Sequence, residues 1–203
     1  MPRRTFRSLI WILVAVAYGA GTSWLPAPSV PTFWAGNASA AYLLLPFLAG
    51  AGARMRWWAA AVLGVAVDWV MVAAFYGRTL YDPAALANNG RQGVGYFEAL
   101  RHWVVTYFTL DTPWLVLGAA AGVVFALLGQ GWRRTRSPLL ATAAALTLAA
   151  EPLAHEIDAS FGTMPAAWWV GEIACALALF ATLHFLGRRQ AFSARAPGRP
   201  RRW

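Results

Sequence analysis

The sequence predicts an all-α polytopic membrane protein: six transmembrane helices in one bundle, with the N and C termini in the cytoplasm. Three observations predict it. The 203 residues are 59% hydrophobic and only 12% charged, with a mean hydropathy of +0.48, whereas soluble domains carry about 25% charged residues. Apolar runs near the roughly 20 residues needed to cross a bilayer recur six times. Arginines gather on alternate connections between those runs. No alternating pattern runs long enough for a barrel, and helices satisfy their own backbone in hydrocarbon.

Span one covers 8–24, where "LIWILVAVA" follows Arg3, Arg4 and Arg7. "RRTF" resembles a twin-arginine signal, but five further spans favour an uncleaved first helix. Residues 25–32, "LPAPSVPT", form a stiff loop with three prolines and no charge. Span two covers 33–53 and ends at Arg54 and Arg56. Span three covers 57–77. A long connection follows at 78–102, in which "NNG" reads as a turn and "YFEALRHW" as an interfacial helix. Loops of this length are often functional. Span four covers 103–129, span five 138–157, and span six 165–187. Residues 1–187 then form a single domain, and 188–203 a basic, disordered cytoplasmic tail against anionic lipid.

The arginines orient the bundle. Of 17 basic residues, all arginine, only Arg78, Arg91 and Arg101 fall on the side carrying the long loop. By the positive-inside rule the other side is cytoplasmic. A net charge of +9 invites a nucleic-acid partner, but clusters between apolar runs are topogenic, and no folded recognition element accompanies them. Arginine without lysine, with much Ala and Gly, points to a high-GC bacterial genome and hence the bacterial inner membrane. The single cysteine, Cys175, reads as a small buried hydrophobe. Small residues recur at four-residue spacing, at Ala15/Gly19, Ala17/Gly21 and Gly118/Gly122, which permits close helix packing.

Acids interrupt the apolar runs. "VAVDWVMVA" places Asp68 about 16 Å into span three, and Glu151 lies about 20 Å into span five. Asp111 and Glu172 lie about 10–12 Å from the outer face. Each charge costs about 2.5–3.5 kcal/mol at mid-membrane, so the acids should face inward, share protons or bind positive charge. Ala61 and Gly64 beside Asp68 permit close packing, and Thr147, Glu151 and His155 form a polar stripe. Alternatives stay open. "DTPW" at 111–114 looks like a helix start with Asp111 as cap. Glu151 and Glu172 can pair with Arg101, Arg78 or His155. Asp68 can be a protonated structural acid. No catalytic motif appears, so no enzyme is expected. His102 and His155 lie near the acids, whose hard oxygen ligands would favour Ca²⁺ or Mg²⁺ over Zn²⁺; no metal site and no cofactor are expected.

"GAGTSWLPAPSVPTFWAGNASAAYLLLPFLAGAGAR", with Gly19, Gly21, Asn37, Ser39 and Arg54, is similar to the first hairpin of an uncharacterised family of bacterial six-helix membrane proteins of unknown function. "VLGVAVDWVMVAAFYG" and "AAEPL" resemble its third and fifth helices. The resemblance implies fold and location only. In size and in its small-residue first helix the chain also resembles substrate-binding subunits of vitamin and metal uptake systems. The expected function is binding or transport of a small molecule or cation through an outward-facing cavity lined by Asp68, Asp111, Glu151, Glu172 and His155. The alternative is a non-catalytic accessory subunit of a larger membrane complex. The expected partners are the lipid bilayer and other membrane proteins, not nucleic acid.

Overall fold

A computed structural model describes residues 3–24, 39–77, 95–109, 112–157 and 165–195. Every regular element among them is helical: α1 (Arg3–Ser23), α2 (Ser39–Gly52), α3 (Trp57–Tyr76), α4 (Tyr96–Thr109), α5 (Thr112–Thr135), α6 (Pro138–Ile157) and α7 (Ala166–Arg195). Four of these contain stretches long and apolar enough to cross a membrane: Phe6–Ser23, Trp57–Phe75, Leu115–Thr135 and Ala166–Arg188. The described residues are thus all-helical in their regular structure, with the character of a membrane protein. Large apolar side chains stand exposed along α1 (Phe6, Leu13) and α7 (Val170, Leu177), as lipid-facing surfaces require.

The helices depart from the expected spans in three places. α2 has 14 residues, about 21 Å of helix, and 33–38 lie outside the described residues. Span four, expected at 103–129, divides: 103–109 belong to α4, and α5 begins at Thr112 with Pro113 in its first turn, where a missing N–H costs nothing. α7 continues through Arg188 to Arg195, into the segment expected to be disordered, because nothing between Gly187 and Arg195 breaks a helix. α3 and α6 match their spans closely. Cys175 is exposed, not buried.

The chain divides into two compact units, Met1–Gln130 and Gly131–Trp203. In the first, α3 packs on both α1 and α2, and α5 closes on α2 and α3 through glycines. A methyl group on Gly122 would stand 2.7 Å from the Gly64 carbonyl oxygen, and one on Gly64 would meet the Gly122 carbonyl. Gly50 faces the Ala126 carbonyl, Gly129 that of Phe47, and Gly19 that of Met71. Only a residue without Cβ lets backbones approach this closely. Ala15, Phe47, Ala49, Ala60, Val67 and Met71 fill the space left. Two side chains lock the assembly: Gln130 Nε2 donates to the Met55 carbonyl at 2.7 Å, and Trp69 Nε1 to the Leu115 carbonyl at 3.0 Å.

In the second unit α6 packs along α7. α6 buries Ala141, Ala144, Ala145, Glu151 and Pro152; α7 buries Glu172, Ala176, Leu183 and Gly187. Both sets follow helical spacing, so each is one face. The α5–α6 turn pivots on Arg136, whose φ is 54°, a conformation that costs a non-glycine residue roughly 1–2 kcal/mol. Its N–H donates to the Trp132 carbonyl at 2.7 Å. Its guanidinium lies 4.4 Å over the Trp132 ring, a contact that returns about 0.5–1 kcal/mol. Burial holds that guanidinium below its ordinary pKa.

Candidate functional site: the buried carboxyl groups

Asp68 lies eleven residues after Trp57 in a 20-residue helix, about 16 Å along its axis. It is 1% exposed, on the same face as Leu63, Gly64, Val67 and Met71. That face meets α5, where Gly118 leaves room for the carboxyl group: a methyl group at 118 would run into Asp68 Oδ2. Asp68 Oδ1 is buried with no hydrogen-bond partner among the described residues. Leaving a polar atom so placed costs about 1–3 kcal/mol, more if charged. The inward face expected from Gly64 is therefore present, and its cause is a glycine seam on both helices.

Glu151 and Glu172 belong to the second unit, 4% and 8% exposed. Pro152, fully buried beside Glu151, donates no N–H to the preceding turn. Thr147, one turn before Glu151, spends its hydroxyl on the Ala144 carbonyl at 2.7 Å, so the expected polar stripe begins with a residue turned to its own helix. The two glutamates interact electrostatically. Glu172 Oε2 has no hydrogen-bond partner among the described residues.

The structure thus brings Glu151 and Glu172 into one unit and places Asp68 in the other. Asp111 lies outside the described residues. His155 lies in α6, and its side chain is outside the described part. Among the described residues no group of three His, Cys, Asp or Glu side chains could hold a metal ion.

Sequence reasoning missed two features. Gly118 was expected only as half of a small-residue pair; that it faces Asp68 depends on helix phase, which four-residue spacing leaves open. Gln130, 3% exposed, was not singled out, although a lone amide ending an apolar run is a readable signal. Chemically, a buried carboxyl with an open oxygen can keep a proton, accept a hydrogen bond from a ligand, or neutralise a cation. Comparison of the chain with protein-family models, with curated proteins and with solved structures gives no match in any of the three.

Proposed function

We propose that the protein is a multi-pass component of a bacterial cytoplasmic membrane, with both termini inside, that binds or transports a small molecule or cation at buried carboxyl groups. One observation carries this reading: Asp68, sealed halfway along an apolar helix, has an oxygen, Oδ1, with no hydrogen-bond partner among the described residues. A purely structural carboxyl would be cheaper as leucine there, or would have a donor beside it. The resemblance to an uncharacterised family of six-helix membrane proteins agrees with the location and leaves the ligand open.

The test is Asp68→Asn in proteoliposomes, with cation and proton uptake measured beside thermal stability in detergent. Asparagine keeps the shape and loses the charge. Uptake is expected to disappear while stability changes by about 1 kcal/mol or less. Equal uptake by both proteins would remove Asp68 from the function, and lost stability without a change in uptake would assign it to packing.

An accessory subunit is the second reading, favoured by one specific feature. Of the two small-residue pairs on α1, Ala15 and Gly19 are buried, whereas Ala17 and Gly21 are exposed, and among the described residues nothing lies within 4 Å of a methyl group placed on Gly21. That open stripe suits a second transmembrane helix. Gly21→Leu would block such docking: under this reading the assembly extracted in mild detergent becomes smaller, and under the first reading its size is unchanged.

A further inference from the structure

The helix seam around Asp68 restricts what the carboxyl group can hold. Its own face of α3 presents Leu63, Gly64, Val67 and Met71, and α5 brings Leu115, Gly118 and Gly122 against it. None of these side chains carries an oxygen or nitrogen atom. A methyl group on Gly122 would stand 2.7 Å from the Gly64 carbonyl oxygen, so the two backbones are in contact one turn from Asp68. Beside Oδ2 there is no room even for a methyl group on Gly118. Trp69, the next residue, donates from Nε1 to the Leu115 carbonyl at 3.0 Å and ties α3 to α5 there. Oδ1, on a side chain only 1% exposed, has no hydrogen-bond partner among the described residues.

A calcium or magnesium ion needs about six or more oxygen ligands, and membrane sites for sodium draw theirs from carbonyls freed where a helix is broken. α3 holds no proline, and α5 holds one, Pro113 in its first turn, so the carbonyls around Asp68 stay within helical hydrogen bonds. The charged groups described on the packed helices stand far off. Arg133 lies 15 residues after Gly118, about 22 Å along α5, and Arg7 lies near the start of α1. α2 carries no charge. Tyr18 of α1 and Tyr42 of α2 pack on the core of Val67 and Met71; both phenols are neutral, and neither bonds Oδ1. The His102 side chain lies outside the described part. An ionised carboxyl group in such a setting is neutralised rather than kept. A proton removes the charge, needs no shell of ligands and takes no volume.

We infer that the occupant of the Asp68 site is a proton, which the glycine seam admits while it excludes metal ions and organic molecules. This rests on the reading that Asp68 serves binding or transport, and narrows its ligand from a small molecule or cation to a proton. The close approach of α3 and α5 is then the selectivity device: it withholds the oxygen atoms and the space that any larger cation needs.

Infrared spectroscopy tests this, because a protonated carboxyl group and a carboxylate absorb at different frequencies. The full chain, carrying isotope-labelled aspartate, is examined in lipid vesicles at neutral pH, first without metal ions and then with sodium, potassium, calcium or magnesium added. The label separates aspartate bands from those of glutamate. A band of protonated aspartate is expected that is lost in Asp68→Asn and unmoved by any of these ions. Should Asp68→Asn fail to fold, the triple variant Asp82→Asn, Asp111→Asn, Asp158→Asn makes the assignment, since Asp68 is then the sole labelled aspartate. Conversion of the band to carboxylate by any of the added ions would overturn the inference, and so would an Asp68 that shows no protonated band at neutral pH. Uptake in proteoliposomes keeps the two questions apart. A metal-insensitive band with uptake indifferent to Asp68→Asn leaves the proton in place and removes Asp68 from transport. A band erased by a metal ion, with uptake that depends on Asp68, keeps the transport reading and overturns the proton.

Discussion

In the first unit a carboxyl group is enclosed by a glycine seam; in the second, two carboxyl groups sit on alanine-rich faces. The seam of Gly64, Gly118 and Gly122 brings α3 and α5 to backbone contact. Asp68 therefore fits where Gly118 has no side chain, and its Oδ1 has no hydrogen-bond partner among the described residues. The α6–α7 pair instead buries Ala141, Ala144, Ala145 and Ala176. Glu151 and Glu172 are buried on those same faces. Glycines line the helix contact at the first carboxyl group, and alanines line it at the other two.

One substitution, glycine to alanine, sharpens that comparison at three positions. The largest effect is expected at Gly64. Its new methyl group would collide with the Gly122 carbonyl and lie 2.7 Å from the Ala126 Cβ, and backbone yields only by moving a helix. A loss at the upper end of the roughly 1–3 kcal/mol typical of overpacking is expected in thermal unfolding. An unchanged unfolding temperature would show that the seam is looser than described.

Gly118→Ala comes next. The obstacle there is Asp68 Oδ2, the far end of a side chain, which can rotate at a cost of about 0.5–1.5 kcal/mol. The mark of this variant is altered uptake in proteoliposomes with most of the stability kept. Wild-type uptake would show that the carboxyl position does not matter.

The smallest effect has the opposite sign. Gly187→Ala meets Arg136 at 3.5 Å, an ordinary van der Waals contact, and alanine is the better helix former by about 0.5–1 kcal/mol. A rise in unfolding temperature is expected. A fall would mean that α6 and α7 are as tightly joined as α3 and α5, and the contrast between the units would vanish.

Much of this architecture could be read from the residues. α3 and α6 begin where Trp57 and Pro138 follow arginine-bearing turns, and both end within a residue of their expected limits. Burial of Asp68 followed from Gly64 one turn before it. The rest depends on interactions between helices. Ala15/Gly19 and Ala17/Gly21 have identical spacing, yet only the first pair is buried, because a partner decides which side of α1 faces inward. The run 103–129 is apolar apart from Asp111 and its neighbours, and only "DTPW" signals that one helix ends at Thr109 and the next begins at Thr112. That Glu151 and Glu172 both lie buried in one unit needed the packing of α6 along α7, which spacing along one chain cannot supply.

The length of α7 has a mechanical consequence. Thirty helical residues make a rod of about 45 Å, against a hydrocarbon core of about 30 Å. Tilting the whole rod into the core would take about 48°, beyond the 0–40° range of transmembrane helices. About ten residues must therefore project as a rigid extension of the span, with Arg188, Arg189 and Arg195 on it. Such a projection is a lever arm. A small rotation of α7 about its buried portion sweeps the arginine-bearing end through a larger arc, so any rearrangement around Glu172 would be magnified at the membrane surface.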